Sequence, residues 1–218
     1  MKVSKLEKFA QNKESKNVIE PGKELFQSIR GNWNDFFGND HELVVELACG
    51  WGEYTTALAE KFPNKNFIGV DIKGDRVWRG SQFAIKHQLD NVAFLRCHIV
   101  EILNLFDNDE IDEIWLTFPD PQPKDRNEKH RLSNKSYLAK YAQLLKPEGF
   151  FRFKTDSTFL FEYTLEILSN LKIKDLTYTF DLYKSDLIDE HHGISTKYEK
   201  IWTEKGETIK YMRFRFDF

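Results

Sequence analysis

Short apolar runs and amphipathic runs take turns along most of this chain, and that alternation limits the folds open to it. Residues 43–48 (LVVELA), 67–72 (FIGVDI), 92–97, 114–118 (IWLTF) and 150–155 have the length and apolar content of buried strands. Residues 53–62, 75–87, 137–145 and 158–171 repeat apolar side chains at helical spacing. The first of these helices stops at Pro63, and the third at Lys146-Pro147-Glu148-Gly149. Strands separated by helices imply βαβ units, so the predicted class is α/β with a mainly parallel sheet in three layers. Residues 175–180 and 208–216 are strand-like with no helical pattern between them, which predicts an antiparallel last strand at the sheet edge. The 181–207 connection exceeds the roughly 12–15 residues that structureless loops usually reach, so it is either disordered or functional.

Composition removes several function classes. No apolar run approaches the roughly 18 residues of a membrane span, and the N-terminal MKVSKLEKFAQNKESKNV has no apolar core of a secretory signal. The expectation is a cytoplasmic protein with no membrane partner, monomer or homodimer. Two cysteines, Cys49 and Cys97, can build neither a disulfide framework nor a four-thiolate zinc site. Cys97 and His98 leave one strand in succession and point to opposite faces, so no metal site is expected. His191-His192 reads as solvated loop, and Trp115 as core. The net charge is −3, yet residues 1–30, 124–135 and 196–215 each carry a net +3. Basic segments on an acidic body allow a polyanion to be met locally. The division expected from this pattern is an N-terminal arm and helical lead-in over 1–40, free to touch RNA or merely solvated, followed by one domain over 41–218.

Two loops carry the chemistry. Glu46-Leu47-Ala48-Cys49-Gly50-Trp51-Gly52 leads from the first strand into a helix, and Gly50 and Gly52 permit a sharp turn close to a ligand. Asp71, closing the second strand, suits the hydroxyls of a ribose. A dinucleotide fingerprint requires a third glycine, where this chain has Thr55. Glu46 would repel a pyrophosphate but attract the sulfonium and ammonium of S-adenosyl-L-methionine, which favours the methyl donor over NAD. The second loop is Phe118-Pro119-Asp120-Pro121-Gln122-Pro123-Lys124, in which three prolines hold Asp120 rigidly at the sheet's ligand edge. The basic run to Arg131 follows at once.

FPDPQPKDRNEKHR (118–131), FRFKTDSTFLFEY (151–163) and TKYEK (196–200), with ELACGWGE and GVDI, resemble the bacterial tRNA (guanine-N7-)-methyltransferase family over about residues 43–216. The resemblance implies the class I methyltransferase (Rossmann-like) fold, S-adenosyl-L-methionine as donor and the variable-loop guanine of tRNA, position 46, as substrate. It casts Asp120 as the catalytic acid. It gives Glu46, Gly50, Gly52, Asp71 and His98 to the donor. It gives Lys124, Arg126, Arg131, Asp156, Thr196, Lys197, Tyr198 and Glu199 to the substrate. The place of the last four in the long connection suggests that they fold over the site, with Tyr198 stacking on a flipped base. Asp156 could equally cap the helix after it. Three positions depart from the family pattern: Ala48 for a usual glycine, Gln122 for a usual tryptophan and His98 for the usual acid or asparagine at the adenine end. Alternatives are a methyltransferase for another RNA base or a small molecule, and a non-catalytic RNA-binding module. Amino-group methyltransferases favour an aromatic ring after an Asn/Asp-Pro-Pro run, which Asp120-Pro121-Gln122 lacks.

Overall fold

The computed structural model describes residues 3–217. The chain opens with α1 (Lys5–Glu14), β1 (Val18–Ile19), α2 (Glu24–Ser28) and α3 (Trp33–Phe37). The alternating part follows: β2 (Glu42–Leu47), α4 (Glu53–Lys61), β3 (Lys65–Asp71), α5 (Gly74–Lys86), β4 (Val92–Arg96) and β5 (Ile111–Thr117). It continues through α6 (Lys135–Leu144), β6 (Leu145–Thr155), α7 (Thr158–Leu168), β7 (Ile173–Thr179), α8 (Lys197–Glu204) and β8 (Lys210–Phe216).

One eight-stranded sheet has the order β1-β4-β3-β2-β5-β6-β8-β7. Strands β1 to β6 pair in parallel, and β8 runs antiparallel to both β6 and β7, as the sequence predicts. Alternate residues of the strands feed two cores. Val44, Phe67, Phe94 and Trp115 pack with Tyr54 and Leu58 of α4 and Val77 of α5. Val45, Ile68, Leu95, Ile114 and Phe153 pack on the other face with Trp33 of α3, Tyr141 of α6 and Phe161 of α7. Both faces are covered, which is why the strands read as nearly continuous apolar runs.

The sheet's winding reverses at β2: the chain leaves it outward through β3 and β4, then returns to its other side as β5. In such sheets ligands bind beyond the carboxyl ends of the strands at the reversal. The exits of β2, β3, β4, β5 and β6 are the loops singled out in the sequence.

The N-terminal segment differs from expectation. From residue 3 it is no loose arm. Ser4 and Glu7 form a reciprocal cap on α1. Asn12 Nδ2 donates to the Gly74 carbonyl at 2.8 Å, and Trp78 Nε1 donates to Gln11 Oε1 at 2.7 Å. The boundary placed at residue 40 matches no structural break, because β1 extends the common sheet and Trp33 sits in the common core. The part of that arm formed by residues 1 and 2 lies outside the described residues.

Candidate active site

Glu46 sits at the penultimate position of β2, 3% exposed. Its Oε2 accepts from the Thr55 N–H at 2.8 Å and from the Thr55 hydroxyl, and its Oε1 accepts from the Thr117 hydroxyl at 2.5 Å. The carboxylate thus ties β2 to the first turn of α4 and to the end of β5, across the reversal point. Thr55, the residue in place of the third fingerprint glycine, spends both donors here. Burial pushes the Glu46 carboxyl up to about 7, against the lowering effect of the threonine hydrogen bonds. Among the described residues no cation forms an ion pair with it. A buried carboxylate without an ion-pair partner is suited to a cationic ligand.

The two glycines of the turn have different reasons to be there. Both have left-handed backbones, φ +57° at Gly50 and +70° at Gly52. A Cβ on Gly50 would meet nothing within 4 Å, so its backbone is open to a ligand. A Cβ on Gly52 would strike the Phe94 ring, so this glycine makes room for the core. Ala48, where the family usually has glycine, also adopts a left-handed φ of +55°. Asp71, 5% exposed at the end of β3, accepts from the Gly50 N–H at 3.0 Å and the Lys73 N–H at 2.8 Å. These bonds occupy part of its acceptor capacity, leaving lone pairs for ribose hydroxyls. His98 is exposed just beyond β4, at the start of the 3₁₀ turn Ile99–Asn104.

Asp120 is exposed, three residues beyond the end of β5. Its Oδ1 accepts from the Gln122 N–H at 3.1 Å, closing an Asx turn. Phe118 and Gln122 flank it with φ of +48° and +45°, conformations costly for residues with a Cβ. Arg131 helps to hold this strained loop. The structure places it inside rather than on the exposed rim where the resemblance puts substrate contact: it is 4% exposed, with Nε donating to the Gln122 carbonyl at 3.1 Å. Its guanidinium lies over the rings of Phe159 and Tyr163, at 4.7 and 4.5 Å from their centroids. Lys124 and Arg126 are exposed, on the loop and the 3₁₀ turn Asp125–His130.

The long connection is ordered, through the 3₁₀ turns Leu182–Lys184 and Ile188–His191 and then α8. Arg152 holds Glu190 at 2.5 Å and Glu113 at 3.0 Å, pinning the segment to the sheet. His191 is 5% exposed, its ring edge-on to Tyr183, contrary to the solvated-loop expectation. The TKYE segment splits by direction. Thr196 caps α8, accepting from the Glu199 N–H at 3.2 Å. Glu199 is fully buried and paired with the equally buried Lys154 at 2.8 Å, with the Tyr183 hydroxyl donating at 2.8 Å. Thr196 and Glu199 therefore fasten the helix, and Glu199 is not free to contact substrate. Lys197 and Tyr198 remain exposed, with the Tyr198 ring 5.4 Å from that of Phe118. Burial, then the carboxylate of Asp156, and to a smaller extent that of Asp120, raise the Tyr198 phenol above its ordinary pKa. Asp156 is half-buried and its carboxyl is raised by that burial. Ser157, not Asp156, caps α7.

Two outcomes follow from these buried groups. The Glu46 carboxyl titrates near 7 when folded and near its ordinary 4.5 when unfolded. Its contribution to stability is whole below pH 4.5 and is lost as pH rises through 7, a change of about 3 kcal/mol at 1.36 kcal/mol per pKa unit. Denaturant unfolding from pH 4 to 8 should move the stability gap in favour of Glu46→Gln by that amount; a gap independent of pH would mean an ordinary carboxyl. Glu199→Ala, which strands buried Lys154, should cost about 3–5 kcal/mol. Lys154→Met combined with Glu199→Leu should recover most of that loss, and simple additivity of the single losses would deny the coupling.

Comparison with known proteins places this geometry in a family. Residues 40–212 match a family described as "Putative methyltransferase". The tRNA (guanine-N(7)-)-methyltransferase of Cytophaga hutchinsonii is 44% identical over 97% of each chain. That of Christiangramia forsetii is 46% identical over 97% of each. Among solved structures, an antibiotic-related methyltransferase superposes with TM-score 0.61 at 22% identity, covering 84% of this chain and 92% of its own. The 16S rRNA methyltransferase KamB gives 0.60 at 14% identity, covering 100% and 95%. These structural likenesses show the class I methyltransferase fold, and the identities above 40% across nearly the whole length show the narrower kinship: the chain belongs to the tRNA (guanine-N(7)-)-methyltransferase family.

Proposed function

We propose that this protein methylates N7 of the variable-loop guanine of tRNA with S-adenosylmethionine as donor. The observation that carries the reading is the pair of carboxylates flanking the sheet's reversal point, one buried and one exposed. Buried Glu46 forms no ion pair among the described residues and suits the cationic end of the donor. The open backbone at Gly50, the remaining acceptor capacity of Asp71 and exposed His98 would take the rest of it. When bound, the donor supplies a methyl group on cationic sulfur.

Guanine N7 has an in-plane lone pair and no proton to lose, so the protein needs no strong base. Its task is alignment, which supplies roughly 7–11 kcal/mol in well-oriented reactions. Asp120, fixed by its Asx turn, accepts from the guanine N1–H and N2–H edge and stabilises the positive charge that develops on the purine. Asp156 approaches the base from the β6 side, and the exposed ring of Tyr198 offers a stacking surface for a base taken out of its stack. Lys124, Arg126 and Lys197 present exposed charge to phosphates.

Incubation with methyl-labelled donor and unmodified tRNA tests the reading. Label should appear in 7-methylguanine at the variable loop, and transfer to no tRNA would refute it. Asp120→Ala should lose at least 10²-fold in turnover with donor affinity unchanged; equal loss of donor binding would assign Asp120 to the wrong partner.

A further inference from the structure

We propose that a notch beside the exit of β5 is an additional docking point for the substrate RNA, taking one backbone phosphate; this rests on the tRNA reading above. The notch, about 320 Å³, is walled by Val100 beyond β4, by Glu128 and Lys129 of the 125–130 turn, and by Lys135, Tyr137 and Lys140 of α6. Its charge is one-sided. Three lysines line it against one carboxylate, and Glu128 is engaged by the Tyr163 hydroxyl at 2.8 Å. Among the described residues none of the three lysines forms an ion pair. Lys140 Nζ donates to the Val100 carbonyl at 2.6 Å, which fixes one ammonium in the wall and leaves two of its protons for an anion.

Position and chemistry agree. Two of the walls, Val100 and the 125–130 turn, follow the exits of β4 and β5, the segments that carry His98 and Asp120, and the third is α6, so the notch borders the rim of the proposed site. With Arg131 withdrawn into the protein, Lys135 and Lys140 extend the exposed charge of Lys124, Arg126 and Lys129 onto α6. Lysine ammoniums are point charges suited to phosphate oxygens, and each phosphate they neutralise releases counterions.

The test is binding of fluorescent unmodified tRNA transcript between 50 and 200 mM salt. Lys135→Ala/Lys140→Ala should bind on the order of 5–10-fold more weakly at 100 mM, with the slope of log affinity against log salt shallower by about 0.7–0.9, one phosphate's worth. Lys135→Arg/Lys140→Arg should keep the slope, as should Lys172→Ala at the opposite end of the sheet. A double-alanine variant with unchanged slope and affinity overturns the proposal. Tight tRNA binding by the unaltered protein without methyl transfer would count against the function reading alone, whereas failure of the unaltered protein to bind tRNA overturns both.

Discussion

A carboxylate buried where the sheet reverses its winding organises this molecule. Glu46 holds the start of α4 through Thr55 and the end of β5 through Thr117, so the two loops to which the proposed reading gives the chemistry depart from one hydrogen-bonded centre. Burial makes ionisation of that group costly, and none of the described residues offers it a salt bridge. The same side chain is therefore a structural tie and, in the proposed reading, the place where a cationic ligand repays the cost of its charge. On the neighbouring strand exit the opposite conditions hold: Asp120 is in water, its direction fixed by prolines, an Asx turn and the buried Arg131. One fold edge thus offers two carboxylates with different environments, to which the proposed reading gives different tasks.

The connection between β7 and β8 completes the site by a similar use of buried charge. Lys154 and Glu199 neutralise each other with no exposure, and desolvation still lowers the Lys154 ammonium despite that partner. Arg152 and Glu190 anchor the preceding turn. What these pairs achieve is placement. They seat α8 so that Tyr198 lies beside Phe118, while Lys197 stays in solvent.

Much of this was legible in the sequence because periodicity reports local structure. The strand and helix runs from residue 43, the antiparallel end and the two loops singled out stand close to where the pattern puts them. Two corrections apply: α8 lies between the last two strands, where no helical pattern is read, and β6 begins at Leu145, so Lys146-Pro147-Glu148-Gly149 opens a strand instead of separating helix from strand. Two features, the burial of Arg131 and the role of Gly52, escaped for physical reasons, and two others, the inward turn of Glu199 and the helix α1, were written in capping-box patterns. The burial of Arg131 depends on Phe159 and Tyr163, a turn apart on a helix distant in sequence, and nothing near Arg131 announces it. The inward turn of Glu199 was readable, since Thr196-x-x-Glu199 is a capping-box pattern that assigns both side chains to the helix start. The same pattern in Ser4-x-x-Glu7 marks α1, where a charged composition suggested an arm. Gly52 resembles a ligand-facing glycine, but only the fold reveals that the Phe94 ring takes its place.

Proton counting tests the central claim most directly. A carboxyl that titrates at about 7 is half protonated at that pH, and a cation bound against it must expel the proton. Calorimetry of S-adenosylmethionine binding at pH 7, in buffers of different ionisation enthalpy, should report release approaching about half a proton per donor bound, vanishing in Glu46→Gln. Binding with no proton release from the unaltered protein would contradict the account.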